Sequence, residues 1–436
     1  MKRALLALTA VTFACASALA QDKPKAEEEP FWAVGRPKTD AAMKMAPVPA
    51  HPIPTAADQL PIKKMKLPPG FRAEVWASGI LDARGMRQGD KGTVFVSSLF
   101  VAGKIYAVVD RGGKREVLTL AEKLMLPNGI EYHKGALYVA TPKEILRYDN
   151  IEANLASPPK PVTVYDKLPG DVPHGWKFIK IGPDGKLYVP IGAPCNICEP
   201  DTSKGYTQIL RMNLDGSGVE AVVNGMRNTV GFDWHPVTKE LWFGDNQRDW
   251  LAEDMPLDEV NRVTKQGQHF GFPYCHSGIM ADPEFGWGKN CKDYVKPALN
   301  IGPHAAPLGM RFYTGAAFPE EYRGAIFLAR HGPWNRHKKY ADVVVAFATA
   351  AAVGLIACFY GYHVQGGAVG VSVTETVRLV FDHAMAYGVE AFAALRRSIG
   401  SALFSRLSSI PSVATASRRS ASRPSRVLSA WSSSGR

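Results

Sequence analysis

Two runs of this 436-residue chain gather the residue types that move protons and grip oxyanions. The first, HGWKFIKIGPDGKLYVPIGAPCNIC, runs from His174 to Cys198 and opens on a histidine. The second, MRNTVGFDWHPVTKELWFGDNQRD, runs from Met226 to Asp249 and is rich in arginine, asparagine and carboxylate. An imidazole that is neutral near pH 7, placed just before a strand, suits a general base that removes a hydroxyl proton. The planar guanidinium of Arg227 suits carboxylates or ring carbonyls, which it can engage with two parallel hydrogen bonds. Two adjacent acids, Asp258 and Glu259, offer hard oxygens of the kind Ca2+ takes. On spacing alone each has a plainer reading. His174 would be a loop histidine with its hydrogen bonds satisfied, Arg227 a surface charge in a turn, and the adjacent acids a weak signal by themselves.

Residues this far apart in sequence can meet only on a scaffold that makes loops converge. After a Pro/Ala/Lys-rich leader at 21–59, short strands recur with one grammar: an alternating apolar pair, a Gly turn, a second apolar strand and a polar turn. Copies begin at Gly92, Asn128, Gly175, Asn228 and Leu308, a spacing of roughly 40 to 80 residues that suits four-stranded blades with variable loops. A sandwich also yields many short strands but gives no reason for the same grammar to return. The chain therefore reads as all-β, a six-bladed-type β-propeller over 60–347 whose last blade is missing or replaced, with five well-formed blades expected. The strand from Phe71 (FRAEVWAS) would ordinarily help complete the final blade and is expected to lack a partner. Loops at the blade tops would converge on one central channel.

The His174 and Arg227 runs together resemble the glucose/sorbosone dehydrogenase family, soluble sugar dehydrogenases that use pyrroloquinoline quinone (PQQ). The resemblance spans about Leu67 to Phe347 and is strongest between His174 and Gly278. It implies that His174 removes the substrate hydroxyl proton while hydride passes to the quinone. It also implies that Arg227, Asn228 and Asn246 contact that cofactor. Further implied are a calcium-binding segment at Asp258 and Glu259, and backbone carbonyls of Gln247 and Arg248 facing a calcium at the cofactor. His304 and the run HGPWNR (His331 to Arg336) resemble the sorbosone-type branch, with Trp334 or Arg336 lining the channel and Arg336 a cofactor contact. The implied substrates are small sugars or related alcohols and aldehydes. No haem motif follows Cys198, where Glu199 stands, so electrons would leave to a separate acceptor. Two rival readings are a calcium-dependent, lactonase-like propeller hydrolase and a non-catalytic ligand-binding propeller.

The ends of the chain set its context. Residues 1–20 carry Lys2 and Arg3, an apolar run and Ala18-Leu19-Ala20, the pattern of an export signal, so the mature protein is expected to be periplasmic or secreted. An oxidising compartment allows Cys195 with Cys198, and Cys275 with Cys291, to close local loops, leaving Cys358 over. Beyond Phe347 the grammar stops: no Lys follows Lys339 and no acid follows Glu390, a break of the kind a change of reading frame produces, so 348–436 reads as an anomalous, partly disordered tail. The net charge of +12 partly belongs to that tail. No aromatic-plus-basic motif accompanies it, so no nucleic-acid partner is expected, and neither is a membrane anchor.

Overall fold

Runs such as Val94–Ser98 (VFVSS) and Leu187–Ile191 (LYVPI) are β-branched, aromatic and aliphatic, and Gly- or Asp-rich turns cut them short, so each pairs with its neighbour in sequence. The computed structural model describes residues 71–99, 103–171, 174–333, 335–336 and 342–347, with the short pieces 57–60, 62 and 426–427. The signal segment, nearly all of the leader, Trp334 and nearly all of the tail lie outside the described residues.

A short β1 (Phe71–Arg72) precedes the first meander, formed by β2 (Ala83–Gln88), β3 (Val94–Ser98), β4 (Ile105–Arg111) and β5 (Lys114–Ala121). The second comprises β6 (Gly129–His133), β7 (Ala136–Ala140), β8 (Ile145–Tyr148) and β9 (Val162–Tyr165). The third comprises β10 (Lys180–Ile181), β11 (Leu187–Ile191), β12 (Gln208–Met212) and β13 (Glu220–Asn224). The fourth starts with β14 (Gly231–Trp234), β15 (Leu241–Asp245) and β16 (Leu257–Val263). The chain then makes an excursion through β17 (Gln268–His269), β18 (Cys275–His276) and β19 (Met280–Ala281) before β20 (Leu299–Pro303) completes that sheet. A last sheet holds β21 (Pro307–Phe312), β22 (Ala325–Arg330) and β23 (Asp342–Phe347). Helix among the described residues is limited to single 3₁₀ turns such as Ile151–Ala153.

The architecture is thus an all-β propeller. Among the described residues it has four complete blades and a fifth with three strands, where five well-formed blades are expected. The repeat starting at Gly92 marks the second strand of its blade, whereas those at Asn128, Gly175, Asn228 and Leu308 mark inner strands. Phe71–Arg72 is not unpartnered: it runs parallel to β24 (Arg426–Val427). The rest of the FRAEVWAS run is not strand. Trp76, Ala77 and Ile80 instead pack on Val96, Tyr106 and Val108, covering the face of the first blade that no described blade covers. Parallel pairing of β17 with β13 hides the outer edge of the third blade, which would otherwise offer open backbone groups.

Alternation along each strand builds the cores between blades. In β11, Leu187, Val189 and Ile191 face Tyr138 and Ile145 of the second blade, while Tyr188 faces Phe232 of the fourth. Inner strands touch at the backbone: a Cβ on Gly129 would fall 2.4 Å from the Lys177 carbonyl oxygen, and one on Gly231 1.9 Å from that of Leu308, so only glycine fits. Within the inner strands stand Arg87, Glu131, Lys180, Asp233 and Arg311, alternating in sign from blade to blade. Arg87 pairs with Glu131 at 3.1 Å and Lys180 pairs with Asp233. Asp233 also accepts the Phe312 N–H at 2.9 Å. Burial and the field of Arg87 lower the Arg311 pKa, while Asp233 and Glu131 oppose them, so charges from non-adjacent blades converge on one axis.

Candidate functional site

The N-terminal ends of the inner strands carry the residues singled out from sequence. His174 lies in the loop before β10 with φ of 50°, a left-handed conformation that costs a β-substituted residue of order 1 kcal/mol and is held only by tertiary contacts. Trp250, Ser277, His304 and Ala306, around the same end, share this feature. The His174 side chain packs so closely on the chain after β11 that a Cβ on Gly192 would fall 2.6 Å from its own Cβ. Its Nδ1 lies 2.8 Å from the Ala193 carbonyl, which can only accept, so Nδ1 carries the proton and Nε2 keeps a lone pair. Nε2 has no protein partner among the described residues. Desolvation, then the positive field of Arg227, push the His174 pKa down to about 3, with the Ala193 hydrogen bond opposing, so the ring is neutral near pH 7.

The two sequence runs are joined through Ala193, whose N–H donates to the Arg227 carbonyl at 2.8 Å. Arg227 is 2% exposed and most of its guanidinium is engaged by protein. Nε donates to the Asn196 carbonyl at 2.8 Å, Nη2 to Asn196 Oδ1 at 2.7 Å and Asp249 Oδ2 at 3.1 Å, and Nη1 to the Asn246 carbonyl at 3.1 Å. One Nη1 hydrogen remains for a ligand, since a guanidinium has about five N–H bonds. Arg227 therefore clamps the disulfide-closed Cys195–Cys198 loop to the segment after β15. The turn before β14 is held by Asp245, which accepts the N–H groups of Arg227 at 2.9 Å and Asn228 at 2.7 Å. Burial raises the Asp245 pKa to about 6, against the pull of these donors. Asn246 spends its Nδ2 on the carbonyls of Asn228 (2.9 Å) and Pro307 (3.0 Å), which leaves its Oδ1 without a partner among the described residues. His174, Arg227, Asn228 and Asn246 thus lie in one connected network.

Asp258 and Glu259 are not brought together. As consecutive residues of β16 they point to opposite sides. Asp258 bridges the N–H groups of Gln247 and Ala306, both at 2.7 Å, and burial raises its pKa to about 7. Glu259 accepts the Ser277 N–H at 2.7 Å and Asn261 Nδ2 at 3.0 Å, and burial together with Asp245 holds its pKa well above the usual carboxylate range. Among the described residues no three His, Cys, Asp or Glu side chains converge as a cation would need. Each acid braces loops through the backbone N–H groups it accepts.

Gln247 and Arg248 offer a better fit to Ca2+ through the backbone, since their carbonyl oxygens accept no hydrogen bond from described residues. Their side chains are buried and extend the same network, since Gln247 Nε2 donates to Asp245 Oδ2 at 3.2 Å. Gln247 Oε1 lies 2.8 Å from His276 Nδ1, and Asp282 Oδ2 receives both His276 Nε2 at 2.8 Å and Arg248 Nη1 at 2.6 Å. Arg336 donates to the Glu253 carbonyl at 3.1 Å and pairs with Asp254. His304 is fixed on the Ala252 carbonyl at 2.7 Å, and His331 Nδ1 lies 3.2 Å from the Gly332 carbonyl.

Sequence reasoning missed four residues here. Asn196 and Asp249 form the clasp around Arg227; Asn335 donates to Asp249 at 2.8 Å while its buried Oδ1 has no partner; Lys177 stands beside His174. The signal for Asn196 was its place between two cysteines. For Asp249 and Asn335 the signal was only proximity to the runs already noted.

Comparison with known proteins fits this arrangement. Residues 160–330 match the family model described as Glucose / Sorbosone dehydrogenase. An uncharacterized protein of Borreliella burgdorferi is 31% identical over 307 residues, covering 65% of this chain and 76% of that protein. Among solved structures, the holo form of the pyranose dehydrogenase PQQ domain from Coprinopsis cinerea has a TM-score of 0.58 at 19% identity, covering 71% of this chain and 84% of that one. The calcium structure of a Trichoderma reesei carbohydrate-active enzyme of family AA12 has a TM-score of 0.56 at 19% identity, covering 69% and 83%. These two likenesses concern the fold. A propeller with a neutral histidine at the inner-strand ends, the family match across its central blades and a relative sharing most of its length agree: this chain belongs to the glucose/sorbosone dehydrogenase family.

Proposed function

We propose that the chain is a quinoprotein dehydrogenase that oxidises a sugar or a related alcohol or aldehyde, with PQQ and Ca2+ as cofactors and a separate electron acceptor. The observation that carries this reading is His174: its Nδ1–H is fixed on Ala193, its ring is neutral, and its Nε2 lone pair has no protein partner among the described residues. His174 Nε2 takes the proton of the substrate hydroxyl as the C–H hydrogen leaves. The quinone, when bound, supplies the hydride acceptor. The remaining Arg227 Nη1 hydrogen would donate to an oxygen of that group, Asn246 Oδ1 would accept from a ring N–H, and the carbonyls of Gln247 and Arg248 would hold the calcium.

Asp245 and Asp249 position these groups without touching the reactants. The export signal supports a periplasmic or secreted location, and among the described residues no helix is long and apolar enough to cross a membrane. The test is dye reduction by the purified chain with glucose or sorbosone, after addition of PQQ and Ca2+ together and singly. Reduction that requires both supports the reading; lactone hydrolysis that requires Ca2+ alone would replace it with a hydrolase.

A further inference from the structure

Two cations lower the pKa of His174 by their fields, and they differ in what they touch. Arg227 is engaged by Asn196, Asn246 and Asp249. Lys177 is not engaged in this way. Its backbone is fixed, because its carbonyl accepts Asn128 Nδ2 at 3.0 Å and abuts Gly129 of the neighbouring inner strand. Asn128 in turn accepts Arg84 Nε at 3.3 Å, so the first three blades are linked here. Lys177 is 2% exposed, yet its Nζ has no hydrogen-bond acceptor among the described residues. The acid whose field reaches it, Asp171, already accepts the Tyr206 hydroxyl.

An ammonium left with only a trace of water contact and no acceptor is costly, and a surface lysine would avoid that cost by turning outward. We infer that Lys177 is a binding residue of the His174 site, its ammonium receiving a carboxylate of the molecule held there. The inference rests on the reading of His174 as the reactive centre. Burial lowers the Lys177 pKa to about 7, which a bound carboxylate would reverse. The same anion would offset the positive field on His174 and make its ring a readier proton acceptor.

The carboxylate has two sources, the quinone or an acidic sugar, and titration of the purified full-length chain in Ca2+ separates them. Tryptophan fluorescence is followed as PQQ, glucuronate or glucose is added to wild type, Lys177→Met and Lys177→Arg. The expected result is at least tenfold weaker binding of one carboxylate probe by Lys177→Met, near-recovery by Lys177→Arg, and no change for glucose. Loss confined to PQQ assigns the cofactor's carboxylate, and loss confined to glucuronate the substrate's.

Should Lys177→Met fail to fold, wild type is treated briefly with acetic anhydride and acetylation of the Lys177 peptide is measured by mass. Protection by PQQ or glucuronate, but not by glucose, supports the inference. Equal binding by wild type and Lys177→Met, or acetylation of Lys177 unaffected by either carboxylate, overturns it. Glucuronate binding that depends on Lys177, with no PQQ binding at all, would instead sink the quinone reading and leave this one standing.

Discussion

The inner strands hold charge at both ends and treat it in opposite ways. Further along them Arg87 has Glu131 and Lys180 has Asp233, with Asp233 also capping a backbone N–H of the next blade. At the N-terminal ends the Lys177 ammonium, His174 Nε2 and Asn246 Oδ1 have no protein partner among the described residues, and Asn335 Oδ1 is buried without one. Polar groups satisfied by their neighbours hold blades together. Polar groups left unsatisfied in a closed space store interaction energy for something that arrives from outside. The same strands therefore serve as a staple at one end and, on the proposed reading, as a binding site at the other.

The largest effect belongs to the open end. His174→Ala should cut turnover by a factor on the order of 10²–10⁴, the usual contribution of a positioned base, while quinone affinity measured by titration moves less than threefold. Turnover within threefold of the parent would remove His174 from the mechanism.

Arg227→Ala should weaken quinone binding by about 2–4 kcal/mol, and chelation of Ca2+ should do the same. Because Arg227 also clasps Asn196 and Asp249, the variant should melt at a lower temperature. Unchanged quinone affinity in the variant and in chelator would show that this end binds something else.

At the paired end, Asp233→Ala should cost about 2–3 kcal/mol in denaturant unfolding by stranding Lys180. Lys180→Met with Asp233→Leu should restore most of it, and neither change should alter quinone affinity. An activity loss in the double variant without a stability loss would erase the distinction between the two ends.

The smallest effect is on pH. The His174 pKa is about 3 folded against an ordinary value of 6.5, so between these values the unfolded chain binds more protons than the native one. Stability should then fall as pH drops from about 6.5, by at most about 1 kcal/mol per pH unit and less for a half-buried ring. Melting from pH 7 to pH 5 should show a shallower slope in His174→Gln than in wild type. Parallel slopes would mean the ring is more hydrated than its packing indicates.

Much of the scaffold was legible from sequence because strand alternation and Gly turns are local signals. The repeats at Asn128, Gly175, Asn228 and Leu308 fall on inner strands for that reason, and the Cys195–Cys198 and Cys275–Cys291 loops close as their spacing allowed. The Ala73–Ser78 part of FRAEVWAS was misread as strand because Trp76 and Ala77 pack on a blade face without pairing with another strand. His174, Arg227 and Asn246, singled out from sequence, meet in one network, but their partners were not legible. Nothing local says that Arg227 faces Asn196, or that the Lys177 ammonium is buried without one. The splitting of Asp258 from Glu259 was available in principle: once the DEV run is placed in a strand, alternation sends its neighbours to opposite sides.

The excursion between β16 and β20 bears on the order in which the chain acquires its shape. Each of the first three blades is made from strands that follow one another closely, so its contacts are local and can form as soon as its residues are available. The fourth blade waits: its outer strand Leu299–Pro303 pairs with Leu257–Val263 only after the intervening segment has laid Gln268–His269 along the third blade. Loop closure of that length slows assembly. In a refolding experiment followed by pulsed hydrogen exchange, amides of the first three blades should become protected before those of β16 and β20.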